Sequence, residues 1–133
     1  MEVSCQCKAV SFKTPLPKPL ALYICHCHDC QRQSSSAFGM SAIFPSFPLP
    51  DAGLLSCYNY FCKGCGTRLI HTISGKKFVS VKGGCIEGLD WESAIHIWTR
   101  SAMVPIPEGV EAYPDFPPIG PQEISDQPPE LIG

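Results

Sequence analysis

Seven of the nine cysteines in this 133-residue chain fall into three short knots: Cys5-Gln6-Cys7, Cys25-His26-Cys27-His28-Asp29-Cys30 and Cys62-Lys63-Gly64-Cys65-Gly66. Spacings this short suit a shared metal ion. Zinc held by sulfur is four-coordinate and tetrahedral, and loops with few intervening residues present its ligands well. A disulfide framework fits worse, because the count is odd and two pairs are Cys-x-Cys. Seven ligands do not divide into fours. One set can close a four-thiolate site, which is structural, while three thiols leave a position of the kind that catalytic zinc uses. The arithmetic predicts one strut and one reactive centre.

The chain is long enough for one domain with a modest core, so metal staples would help it. A net charge of −2 offers no bulk attraction to nucleic acid or to an anionic membrane. The longest apolar runs fall far short of the roughly 20 residues that span a bilayer. Met1-Glu2-Val3-Ser4-Cys5 carries neither a basic nor an apolar leader region. Nine cysteines in that setting lead us to expect a reducing, cytoplasmic location and metal binding.

Patterning points to a mainly β chain of short strands pinned by zinc. Lys8 to Lys13 alternates polar and apolar residues, and Pro15, Pro17 and Pro19 end it. Leu20–Cys25 reads as a strand feeding the second knot, residues 29–36 as one or two helical turns, and Phe38–Phe44 as a strand. Thr67–Ile73, Lys77–Lys82 and Ala94–Arg100 are further strand candidates, with Gly75 in a hairpin position between the first two. From Pro114 the composition turns proline-rich and polar. We expect a domain over residues 1–113 and an extended tail over 114–133, docked through Tyr113 or Phe116.

Cys5 and Cys7, if on a strand, share one face. Cys62-x-x-Cys65-Gly66 reads as a zinc knuckle whose glycine accepts the turn. These four are the expected structural zinc ligands, and Cys25, Cys27 and Cys30 the expected catalytic ones, so that two zinc ions bind per chain. His26 and His28 alternate with the cysteines and should point away from the metal. His71 and His96 could reach the open site as proton carriers, although packing roles are commoner. Arg32 could pair with a substrate carboxylate, and Ser34, Ser35 and Ser36 could cap the helical turn. Cys57 and Cys85 lack metal-spaced partners and read as inert buried thiols.

The ordered knots, with Gln31-Arg32, Ser34-Ser35-Ser36-Ala37-Phe38, Phe44-Pro45, Phe61-Cys62 and His96-Ile97-Trp98, resemble the domain shared by glutathione-dependent formaldehyde-activating enzyme and centromere protein V. The resemblance runs over roughly residues 3 to 113. It implies an Mss4-like (β-tent) fold and the same division of the seven cysteines between a structural and a catalytic zinc. The chain departs from the family pattern at Lys8, where glycine is usual, and at Gln33 and Ser35, which replace tryptophan and glycine. The segment from Phe44 to Cys62 is also shorter than usual, and the tryptophan often found after the serine near Ser101 is absent.

Three thiolates make zinc a soft, weakly Lewis-acidic centre that favours a substrate thiol as its next ligand. The expected function is therefore a carbon–sulfur lyase-type reaction, adding a thiol such as glutathione to a small aldehyde, or its reverse. The partners are then small thiol or aldehyde molecules, not nucleic acid or membrane. A lyase or dehydratase acting on another small molecule, or a non-catalytic zinc-binding interaction module, are the alternatives.

Overall fold

The computed structural model describes residues 1–50, 53–56, 60–72 and 77–117. It is mainly β, with one short α-helix and two cysteine clusters. The chain divides into two compact units. The first comprises Met1–Ala21 and Ala42–Leu89, and the second Leu22–Ser41 together with the chain from Asp90 onward.

In the first unit, β1 (Glu2–Ser4) and β2 (Ser11–Lys13) pair antiparallel, with Val3 opposite Phe12. Val3 is buried between the polar Glu2 and Ser4, the period-two pattern of a half-buried strand. The strand expected from Lys8 is shorter than its alternation suggests, because residues 6–10 form the turn that carries Cys7. Lys8 occupies the left-handed region at φ 67°. Its N–H donates to the Cys5 carbonyl (3.2 Å), and the Cys5 N–H donates to the Val10 carbonyl (3.0 Å). Cys5 and Cys7 are therefore brought together by a turn, which corrects the expectation of a shared strand face.

The second unit holds most of β3 (Ala21–Cys25), an apolar strand buried along most of its length, and α1 (His28–Ser34). The next strand, β4 (Gly39–Pro45), continues into the first unit, where Ile43 accepts from the Leu20 N–H (2.8 Å). Also in the first unit, β5 (Leu55–Ser56) pairs antiparallel with β6 (Phe61–Cys62). β7 (Ile70–Thr72) pairs antiparallel with β8 (Phe78–Lys82), setting Ile70 opposite Val81. That is the expected pairing of these two segments; Gly75 itself lies outside the described residues. Phe44, Leu69, Ile70, Val79 and Val81 supply apolar burial here, at about 1.5–3 kcal/mol for each large side chain removed from water.

β9 (Ile95–Ile97) returns to pair parallel with β3, so that Cys25 lies opposite Ile97 in the second unit. The outer edge of β9 is covered by the chain from Glu111. His96 donates to the Glu111 carbonyl and accepts from Tyr113 (2.9 Å each), while Trp98 donates to the Asp115 carbonyl (3.1 Å). Phe116 meets the Trp98 ring edge-on at 5.2 Å. Tyr113 and Phe116 make these contacts, while residues 118–133 of the expected tail lie outside the described residues. Among the described residues, no helix is long and apolar enough to cross a membrane.

A lysine held at positive φ carries a steric cost that glycine does not. Lys8→Gly should therefore raise the unfolding free energy by about 0.5–1 kcal/mol, the relief outweighing glycine's greater unfolded-state freedom. Denaturant melts of the metal-loaded proteins measure this, and a destabilised variant would contradict the strain argument.

Candidate metal centres

The first cluster is assembled by two tight turns of the first unit. Cys5 follows β1, Cys7 sits in the Lys8 turn, Cys62 ends β6, and Cys65 lies in the turn beyond. The sulfurs of all four lie within 4.8 Å of one another. Two separations are 3.6 Å (Cys5–Cys7) and 3.8 Å (Cys7–Cys62). A regular tetrahedron with zinc–sulfur bonds of about 2.3 Å has edges of about 3.8 Å, so the donor set fits such an ion. The second turn closes through Gly66, at φ 78°, whose N–H donates to the Cys62 carbonyl (2.8 Å). This is the conformation for which the knuckle needs glycine.

Hydrogen bonds aim at the sulfurs. The Val10 N–H donates to Cys5 Sγ (3.4 Å), the Gly64 N–H to Cys62 Sγ (3.3 Å), and the Thr67 hydroxyl lies 3.1 Å from Cys65 Sγ. Thr67 Oγ1 also accepts from the Gln6 N–H (3.2 Å), so one hydroxyl links both turns. That hydroxyl and the Thr67 backbone hold the Cys65 thiol down to about 5. Cys7 shows the opposite balance. The Ala9 backbone draws its value down, but the neighbouring Cys5 thiol leads a set of influences that together push it up to about 11.

The second cluster is built at the start of α1. Cys25 ends β3, Cys27 is the helix N-cap, and Cys30 lies in the first turn, with all three sulfurs within 4.8 Å of one another. Cys27 Sγ accepts the Cys30 N–H (3.3 Å), so one thiol serves the helix end and the cluster together. Contact with the Cys25 thiol, then burial, raise the Cys30 thiol well above its ordinary range. Burial is the main cause that raises Cys27. A cation that binds here must displace protons.

Several neighbours were not legible as site residues. Gly39 of β4 passes directly against Cys30. A Cβ at that position would stand 3.3 Å from the Cys30 Cβ and 3.4 Å from its sulfur. A glycine within a strand pattern was the available signal. Among the described residues neither cluster includes a histidine. His26 is fully buried, stacked on His96 and tilted against Phe38, with its Nε2 2.9 Å from His96 Nδ1. Burial favours the neutral form of both rings, and in His26 the neighbouring His96 adds to it. His96 thus packs within its own unit. His28 is exposed, and His71 is buried on β7 of the first unit.

The remaining candidates have clear places. Arg32 is exposed and has no carboxylate partner among the described residues. With His28, Ser35, Ser36 and Met103 it lines an open hollow of about 500 Å³. The three serines close the helix rather than start it. Ser34 Oγ donates to the Cys30 carbonyl (2.7 Å), and Ser35 is the C-cap at φ 51°. Cys85 is half-buried, and its thiol donates to the Arg68 carbonyl (3.5 Å). Burial leads the influences that push it up to about 11, which leaves little thiolate at neutral pH. Cys57 lies outside the described residues.

A small, mainly β protein with two thiol clusters, each able to hold a metal ion, is the class defined by these observations. The chain belongs to the glutathione-dependent formaldehyde-activating enzyme family, whose sequence profile matches residues 1–101. Comparison with curated proteins gives no match.

The clusters should differ in response to acid and to ligand loss. Because the Cys27 and Cys30 thiols are raised, affinity at their cluster falls as pH falls. With three donors against four, that cluster should release its ion first, while the fold persists. Cys65→Ser should be a folding variant, since structural zinc contributes on the order of 10 kcal/mol in small zinc modules. Cys27→Ser should keep its fold and lose the second ion. Metal counting alongside circular dichroism during acid and chelator titration checks both expectations, and simultaneous loss of both ions with unfolding would refute the division.

Proposed function

We propose that this protein is a zinc-dependent carbon–sulfur lyase-type enzyme. It joins a thiol such as glutathione to a small aldehyde, in the manner of an S-hydroxymethylglutathione synthase, or runs the reverse reaction. Cys5, Cys7, Cys62 and Cys65 would hold a structural zinc ion, and Cys25, Cys27 and Cys30 a catalytic one. The observation that carries the reading is the three-thiol donor set at the start of α1, in a chain that also has a separate set of four. Membership of the formaldehyde-activating family supports the same chemistry.

Bound at the three thiols, zinc would supply a soft centre that holds a substrate thiol as its thiolate. The chain's own residues orient and shield. Cys25 and Cys30 are buried, so a substrate approaches from the side of the half-buried Cys27. The hollow at the end of α1 presents Arg32 and two serines to polar parts of a substrate. In the addition, the sulfur lone pair forms the carbon–sulfur bond, the carbonyl π electrons move to oxygen, and that oxygen takes a proton. Orienting two small reactants is itself a large part of such a rate gain.

A different small-molecule substrate is the second reading. Gln33 and Ser35 stand where the family pattern has tryptophan and glycine, and Ser35 is at the hollow. Nine cysteines suit a reducing, cytoplasmic setting.

Cobalt substitution tests the thiol-binding step. Glutathione should alter the charge-transfer and ligand-field bands of the second site and release close to one proton per thiol below the thiol's free pKa. Cys27→Ser protein should not respond. If cobalt there already has four protein ligands and ignores glutathione, the lyase reading fails and a non-catalytic zinc module replaces it.

A further inference from the structure

We infer that Gln31 is a positioning residue for the three-thiol centre, holding the peptide between Cys25 and Cys27 in the geometry that lets both sulfurs face one ion. Its Nε2 lies 2.8 Å from the His26 carbonyl and 2.9 Å from the Ser101 carbonyl, so one amide group donates to two backbone acceptors. The orientation of the amide is forced, because its oxygen could accept from neither carbonyl. Gln31 is itself fixed. Its backbone N–H donates to the Cys27 carbonyl (3.0 Å), and its carbonyl accepts from the Ser36 N–H (3.2 Å).

His26 is the one residue between the two thiols, and its backbone is tied on both sides. Its N–H donates to the Ile97 carbonyl (3.0 Å) on β9, and its carbonyl accepts from Gln31. Its ring is held by His96 and Phe38. The N–H tie belongs to the β3–β9 pairing and needs no particular side chain. The carbonyl tie needs a neutral, two-donor side chain of glutamine's length one residue beyond Cys30. A thiol pair separated by a single residue changes its sulfur separation when that intervening peptide rotates. The Gln31 bond therefore acts on the ligands through their backbone. It also joins the cluster to Ser101, in the turn Thr99–Ser101, whose Thr99 and Arg100 bond the chain at residues 113–115.

The inference rests on reading Cys25, Cys27 and Cys30 as metal ligands, and the test separates the two. In the full-length protein loaded with cobalt, chelator competition gives the affinity of each site. Gln31→Met keeps the length and helix preference but removes both donors. We expect the second cobalt to weaken by on the order of 10–100-fold, as for residues that orient metal ligands, with shifted ligand-field bands and an unchanged first site. Selective weakening supports the inference. A change below about threefold, well under that range, or equal weakening of both sites, overturns it. If the unaltered protein takes up a single cobalt, the metal reading itself has failed. Should Gln31→Met not fold, hydrogen exchange on the native metal-loaded protein decides. Both Gln31 side-chain amide protons should be protected, and free exchange overturns the inference.

Discussion

Mutual repulsion among thiolates is the constraint on which this molecule depends. Sulfurs stand 3.6 Å and 3.8 Å apart in the first cluster. Two unit charges at about 4 Å repel by about 4 kcal/mol at an effective dielectric of 20. The raised Cys7, Cys27 and Cys30 thiols express that crowding together with burial. Without a cation, Cys7, Cys27 and Cys30 favour the protonated form, whereas a divalent ion would turn the repulsion into attraction. Such an ion would also cross-link the chain. Cys7 and Cys62 are 55 residues apart, and closing a loop of that length removes about 4 kcal/mol of unfolded-state entropy in the chain-entropy treatment. Strands of two to seven residues with modest cores need a staple of this kind.

Two of the three non-glycine residues at positive φ among the described residues, Lys8 and Ser35, lie in the turn or at the helix that carries a cluster. Lys8 and Ser35, both at sites where the family pattern has glycine, keep the left-handed backbone that glycine would adopt freely. The turn after Cys7 and the end of α1 are therefore set by the surrounding structure, with the side chain tolerated. Lys8 reaches out to Ser4 Oγ (3.2 Å), while Ser35 passes its N–H to the Arg32 carbonyl.

Local chemistry was legible in the sequence; chemistry assembled across the chain was not. Knot spacing identified the two groups of thiols, the knuckle glycine and the helical turns after Cys27, because each depends on neighbours within a few residues. The strands around β3, β4 and β8 followed from apolar runs. By contrast, β1, β5 and β6 are two or three residues long, too short for any periodicity to declare itself. The parallel pairing of β3 with β9 and the His26–His96 contact join residues some 70 positions apart. Reading Cys5 and Cys7 as strand neighbours reached the right partners through the wrong geometry, since a turn and a strand both bring alternate residues together. Gly39 carried a signal, whereas Gln31, although part of the Gln31-Arg32 step that resembles the family, gave no sign of its bonds, because an amide that links the His26 and Ser101 carbonyls looks like any other polar helix residue.

The short helix joins the three-thiol cluster to the hollow. Seven residues of α1 span about 10 Å. Its N-cap and first turn carry Cys27 and Cys30, and its last turn and C-cap carry Arg32 and Ser35 at the hollow. Ligands at one end are fixed by β3, by Gly39 and by the Gln31 bonds, all of which act within the second unit. At the other end Arg32 is exposed, while Ser36 at the hollow donates its N–H to the Gln31 carbonyl (3.2 Å). Of the two departures in this helix segment, Ser35 lies at the hollow, and the three thiols remain together at the start of the same helix. On the proposed reading, family membership therefore constrains what the thiols bind more tightly than what the hollow accepts.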